Sequence, residues 1–191
     1  MAKKDIPIEI LEAAKELFCK YGFKRISIED ICNHAKVSRR TFYVYYENKT
    51  NLLIRLLEYK HEEISQGILA IKNSELPFPE KLIQIINYRI AELAKMSPEF
   101  LADIHDPSFV EVRQYYESKR AYWSTFTHAF LSEAQKRGEI RADLDVDFLQ
   151  QFINQSMASF KDAPIKKNYP DPAIFMRKIA DLLFYGILGK N

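Results

Sequence analysis

Residues Ile26–Leu53 read ISIEDICNHAKVSRRTFYVYYENKTNLL, and this stretch decides the fold. It contains two helix starts close together. Ser27 is placed to cap the first, with Asp30 three residues on as the acidic half of a capping box. Ile26 before that cap and Ile31 after it are spaced as a hydrophobic staple. The device recurs at once: Ser38 caps the next helix, with Val37 and Phe42 as its staple. Only a short turn near His34–Val37 separates the two. Preceded by a third helix, this spacing predicts a tri-helical helix-turn-helix.

The second of these helices, over 38–45, is chemically odd. Arg39 and Arg40 occupy its first turn, where cations oppose the helix dipole by a few tenths to about 1 kcal/mol each. Arginines are useful there if that helix end enters a major groove, where a guanidinium pairs with guanine O6 and N7. Phe42 and Tyr46 are i,i+4 neighbours and are expected in the core. Tyr43 and Tyr45 are the expected DNA contacts, since a tyrosine hydroxyl can bond a phosphate while its ring packs on the domain. Lys49, directly after the cap Asn48, also opposes its helix dipole. A phosphate held at that N-terminus would explain it.

Working outward, the periodicity stays helical. Ile6, Ile10, Leu17 and Tyr21, with Ala13 and Ala14, form one stripe, which Gly22 stops. Further helices are expected at about 48–72, around Leu82–Leu93, and at about 98–104, 107–137, 146–162 and 172–188. Asn73–Pro79 reads as a linker and 162–171 as a loop. Ser or Asp precedes Pro98, Pro107 and Pro172, the signature of a cap followed by a first-turn proline. No alternating pattern bounded by hairpin turns supports strands, so the fold class is all-α.

Bulk properties set the class of partner. The net charge of +2 is unevenly spread: residues 1–60 hold 12 Lys and Arg against 8 Asp and Glu, and the remainder 16 against 18. The basic excess lies in the third expected to meet a polyanion. No apolar run nears the roughly 18 residues that a membrane span needs, so no membrane partner is expected. The N-terminus has no apolar leader segment, and Cys19 and Cys32 form neither a disulfide framework nor a metal knuckle. A reducing, cytoplasmic setting is expected. Asp103, His105, Asp106 and His128 lack ligand spacing, so neither metal nor cofactor is expected. The chain shows no Gly-rich phosphate loop and no nucleophile elbow, so it is not read as an enzyme.

Residues Ile10–Leu53 resemble the DNA-binding domain of the TetR-type repressors. The resemblance rests on Ala14, Phe18, Gly22 and Phe23, on Ser27, Asp30, Ile31, Ala35, Val37 and Ser38, and above all on Thr41-Phe42-Tyr43-x-Tyr45-Tyr46-x-Asn48-Lys49-x-x-Leu52-Leu53. It implies that Arg39, Arg40, Thr41 and Tyr45 lie at or near base edges. It implies that Tyr43 and Lys49 hold phosphates, and that Ser27 caps the second helix and reaches the DNA backbone. Lys36 departs from the family pattern, which usually has Gly at this turn position; a lysine there could add a phosphate contact. The resemblance further implies a head over 1–50 and a helical body over 51–191 that binds an effector and dimerises. The expected partners are a palindromic double-stranded DNA operator, a second copy of the chain and a small-molecule effector.

The body carries weaker signals. Aromatic residues cluster, and Phe100, Tyr122, Trp123 and Phe126 are the candidate pocket residues, against ordinary core packing. The last two helices are apolar on more than one side. Phe152, Met157, Phe160, Ile179 and Leu183 are therefore the candidate dimer face. Two other functions fit part of the pattern: a helical small-molecule binding protein or enzyme with a vestigial head, and a regulator that senses no ligand.

Overall fold

α1 (Ile6–Tyr21) begins with Pro7 and Glu9 in its first turn and stops at Gly22, whose N–H bonds the Phe18 carbonyl at 2.9 Å. Gly22 has φ +89°, and a Cβ there would stand 3.0 Å from a carboxylate oxygen of Asp103 and 3.2 Å from the Glu99 Cβ. Both facts call for glycine. The structure, a computed structural model, describes residues 5–159 and 163–187, and every regular element among them is a helix. After α1 come α2 (Ile28–Ala35), α3 (Arg39–Tyr45), α4 (Lys49–Lys72), α5 (Phe78–Ala94), α6 (Pro98–Ile104), α7 (Val110–Lys136), α8 (Val146–Ser159), α9 (Ala163–Asn168) and α10 (Pro172–Ile187).

Three expectations shift. α7 begins at Val110 rather than 107. The Asp106 carboxylate accepts the Ser108 N–H at 2.8 Å and pairs with Lys24, so it forms a turn instead of capping α7. Pro79 lies inside the first turn of α5, which shortens the linker to 73–77. Part of the expected loop 162–171 is the six-residue helix α9, too short to leave a periodic signal.

The chain forms two compact units. One holds the described residues up to Gln66 together with Lys95–Glu117; the other holds Gly67–Ala94 and the described residues from Ser118 on. Compactness therefore groups the chain differently from a break at 50/51. The core of the first unit explains why. Ile10, Ala14, Phe18, Ile31, Phe42, Leu52, Leu53 and Leu56 are fully buried, and so are Phe100 and Val112 from the later segment. The Phe100 ring stacks on Phe18 at 6.3 Å. The Ser97 N–H donates to the Cys19 carbonyl at 2.8 Å, and the Lys24 N–H to Asp103 at 2.9 Å. α6 thus belongs to the core that holds α1.

In the second unit α10 packs along α5. Phe78, Ile85, Ile90, Phe130, Leu149 and Phe175 are buried. Gly67 admits the Tyr88 ring: a Cβ at Gly67 would lie 2.5 Å from the tyrosine oxygen. No helix among the described residues is long and apolar enough to cross a membrane.

Candidate nucleic-acid interface

The α2–α3 pair is built by its caps. The Ser27 hydroxyl accepts the Asp30 N–H at 3.1 Å, and the Asp30 carboxylate accepts the Ser27 N–H at 2.8 Å and its O–H at 2.6 Å. These bonds hold the Asp30 carboxyl below the usual carboxylate range. Ser27 is therefore engaged locally, as a cap. Ser38 accepts the Thr41 N–H at 3.0 Å, and the two hydroxyls lie 2.8 Å apart, so Thr41 is half-buried and engaged as well. Between the helices Lys36 adopts the left-handed conformation (φ 56°, ψ 42°) and caps α2. It is the one non-glycine residue with positive φ among those described. The turn has the shape that usually takes Gly, built here on lysine.

α3 presents one side to the core through Phe42 and Tyr46, the latter donating its hydroxyl to the Pro7 carbonyl at 2.9 Å. At ~100° per residue, the direction opposite those two falls on Val44. Val44 is 70% exposed, with Arg40 one turn before it and Tyr43 and Tyr45 beside it, both exposed. Arg39 and Arg40 have no carboxylate partner among the described residues. Sequence reasoning missed Val44, although an apolar β-branched residue between two tyrosines on a charged helix was a usable signal. In a major groove such a side chain meets the thymine methyl.

Lys49 is placed differently from expectation. Its ammonium donates to the carbonyls of Phe23 (2.9 Å) and Ile26 (2.8 Å) and lies 4.3 Å from the Phe23 ring centre. Burial pushes its pKa down. The α1–α2 connector leaves these carbonyls without helical partners, and Lys49 satisfies them. The charge goes to holding the head together. Asn48 does cap α4, accepting the Asn51 N–H at 2.7 Å.

Elsewhere on this unit a depression of about 280 Å³ is lined by Glu9, Glu12 and Glu16 with His34 and Lys36. Its three carboxylates disfavour an anion at its floor. Burial raises the pKa of both Cys19 and Cys32, away from thiolate reactivity.

A model of the bacterial regulatory proteins of the tetR family matches residues 10–56, the segment that carries these caps and this face. Residues 10–56 thus form a helix-turn-helix domain of the tetR type. The chain is 26% identical over 150 residues to the fatty acid metabolism regulator protein of Bacillus subtilis, covering 76% of each chain. It is 35% identical over 63 residues to the HTH-type transcriptional regulator YuxN of the same organism, covering 33% of this chain and 22% of that one. Its fold matches the crystal structure of the transcriptional regulator FadR from Bacillus subtilis in complex with stearoyl-CoA, with a TM-score of 0.67 and 23% identity over 94% of this chain and 98% of that one. The protein is a DNA-binding transcriptional regulator with a helix-turn-helix head and a helical remainder.

The second unit contains a cavity of about 120 Å³, lined by Arg89 of α5, Trp123 and Phe126 of α7, Ile153 of α8, and Met176 and Ile179 of α10, among others. Two of the four expected pocket aromatics are there. Phe100 is not: it is fully buried in the core of the first unit. Tyr122 is not among the lining residues either; it is exposed, its ring nearly perpendicular to that of Trp123 at 5.3 Å. Of the expected dimer face, Phe152 is exposed, whereas Ile179 lines its own unit's cavity. Phe160 lies outside the described residues, as do the side chains of Met157 and Leu183. Exposed apolar side chains that sequence reasoning left out of the dimer face are Phe148 on α8 and Leu182 on α10.

Proposed function

We propose that the regulator is a cytoplasmic homodimeric repressor that binds a palindromic operator and is released by a small-molecule effector. The observation that carries the DNA-reading part is the outer face of α3, with the unpaired Arg40 guanidinium one turn from Val44 and directly opposite the buried Phe42. Arg39, Arg40 and Val44 would meet base edges, with Tyr43 and Tyr45 at phosphates. Ser27, Ser38, Thr41 and Lys49 would shape the surface rather than read it. Lys36, exposed at the turn, would add a phosphate contact. Functionally the head would span 1–50 and the effector-binding, dimerising body 51–191.

Two copies would place their recognition helices in successive major grooves, about 34–36 Å apart. The exposed Phe148 and Phe152 of α8 and Leu182 of α10 would form the mate-facing surface. The effector would occupy the cavity beside Trp123 and Phe126, and would weaken DNA binding to the extent that DNA and effector prefer different conformers. α4 and α7 each contribute to both compact units, so a change in the body has two continuous helices along which to act.

The test is salt-dependent binding to the DNA upstream of the protein's own gene. A steep loss of affinity with salt, sequence preference retained, and a loss of about ten- to a hundredfold in Arg40→Ala with unchanged folding are expected. Equal binding by wild type and Arg40→Ala would overturn the assignment.

A further inference from the structure

The cavity in the second unit is mostly apolar and carries one cation among its lining residues. Arg89 projects from α5 into it, with its guanidinium carbon 5.5 Å from the centre of the Trp123 ring. Much of the remaining wall is hydrocarbon and aromatic: Ile86, Phe126, Phe130 and Met176, with the Thr127 hydroxyl as a neutral polar group. Arg89 lines the wall of this cavity, and its side chain is also partly exposed. No carboxylate among the described residues pairs with it. Its surroundings lower its pKa, through partial removal of water.

A guanidinium remains charged at any ordinary pH, so it cannot escape burial by losing its proton. Interior charges are normally paired and hydrogen-bonded. The Trp123 face offsets part of the deficit through its quadrupole but supplies no hydrogen-bond acceptor. Among the described residues no carboxylate is paired with the guanidinium beside this cavity.

We infer that the effector is an amphipathic anion whose carboxylate or similar oxyanion pairs with Arg89 while a compact apolar body fills the space beside Phe126, Phe130 and Met176. A planar two-oxygen head suits the guanidinium fork. The volume limits the body. A dry cavity of about 150 Å³ accommodates benzene; the 120 Å³ here is not fully enclosed, so part of an eight-carbon chain fills it and the rest extends through the open side. This inference rests on the reading of the cavity as the effector site.

Trp123 is the single tryptophan of the chain and lies beside Arg89, so its fluorescence reports on the site. Octanoate, octanoyl-CoA and 1-octanol are titrated into the wild-type protein and into Arg89→Met and Arg89→Lys. Octanoate is expected to bind at least tenfold more tightly than 1-octanol. Arg89→Met is expected to abolish that preference without loss of folding, checked by thermal unfolding. Arg89→Lys is expected to keep part of the preference. Tighter binding of octanoyl-CoA than of octanoate, still dependent on Arg89, assigns the anion to the nucleotide thioester instead of the free acid and upholds the pairing. Equal affinity for 1-octanol and octanoate, an anion affinity unchanged in Arg89→Met, or no binding of either anion overturns the inference.

Operator release measured in the same titrations separates the two claims. Release by 1-octanol as effective as by octanoate removes the anion inference and leaves the effector reading standing. Octanoate that binds through Arg89 without releasing operator does the reverse.

Discussion

The Lys49 ammonium lies over the Phe23 ring and donates to the carbonyl of that same residue at 2.9 Å. A second bond reaches Ile26, so one side chain holds both ends of the α1–α2 connector. Replacing Lys49 by alanine leaves two carbonyls unsatisfied and should destabilise the protein by roughly 1–3 kcal/mol. The salt slope of DNA binding, measured on the folded fraction, should change by much less than the ~0.9 unit expected for one lost phosphate contact. Urea unfolding gives the first quantity and titrations at several salt concentrations the second. A full unit of slope lost without loss of stability returns Lys49 to the phosphate backbone.

Lys36 offers the opposite case, a residue whose replacement should help. A left-handed non-glycine residue costs about 1–2 kcal/mol, and glycine returns part of that through its greater freedom in the unfolded chain. Lys36→Gly should therefore stabilise the protein by about 0.5–1 kcal/mol in urea unfolding. Operator affinity should fall less than tenfold if the exposed ammonium meets a phosphate. A destabilised Lys36→Gly would mean that the side chain makes a contact worth more than the strain.

Val44 tests the orientation of α3. Its place opposite Phe42 puts it at the centre of any groove the helix enters. Val44→Ser should leave thermal unfolding unchanged, since the side chain is 70% exposed. It should weaken discrimination at one thymine position of each half-site by about 1 kcal/mol. Binding measured on operators with thymine replaced by uracil gives the matching answer: the methyl should matter to wild type and not to the variant.

Acid should weaken the head through Asp30 and Asp106. The bonds from Ser27 hold the first carboxyl below its ordinary range, and the Lys24 ammonium, then Ser108, holds the second far below it. Both values are depressed on folding, so their contribution is complete above the ordinary carboxylate value of about 4 and is lost as pH falls through the folded values. Denaturation midpoints should therefore drop below about pH 4. Asp106→Asn and Asp30→Asn should each be less stable near neutrality and show a shallower acid decline. Parallel declines in wild type and both variants would assign acid sensitivity to other carboxyls.

The helix-turn-helix was legible because its information is local. Ser27 with Asp30, Ser38 with Thr41, and Asn48 with Asn51 each settle a helix start within three residues, and Phe42 with Tyr46 identifies the inner face by spacing alone. What escaped was long-range. Phe100 looks like any other aromatic in its cluster, and nothing near it in sequence says that it stacks on Phe18. Ile179 lies on a helix apolar on several sides, a pattern that does not tell an inward face from a partner-facing one. Asp106 before Pro107 has the form of a cap, but Lys24, distant in sequence, draws its carboxylate away. The long, flexible Lys49 side chain found carbonyls where spacing suggested a phosphate.

The core of the first unit is assembled from two stretches of chain, with Phe100, Ile104 and Val112 supplied by the later one. A single genetic crossover near residue 50 or 66 would therefore join a head to a foreign 95–117 segment and leave Phe18 facing a residue selected against another partner. For this regulator, exchanging DNA specificity with a relative by recombination needs two exchanges, or a change confined to the outer face of α3. Drift in operator preference should proceed by substitution at Arg40, Val44 and their neighbours more readily than by shuffling whole heads.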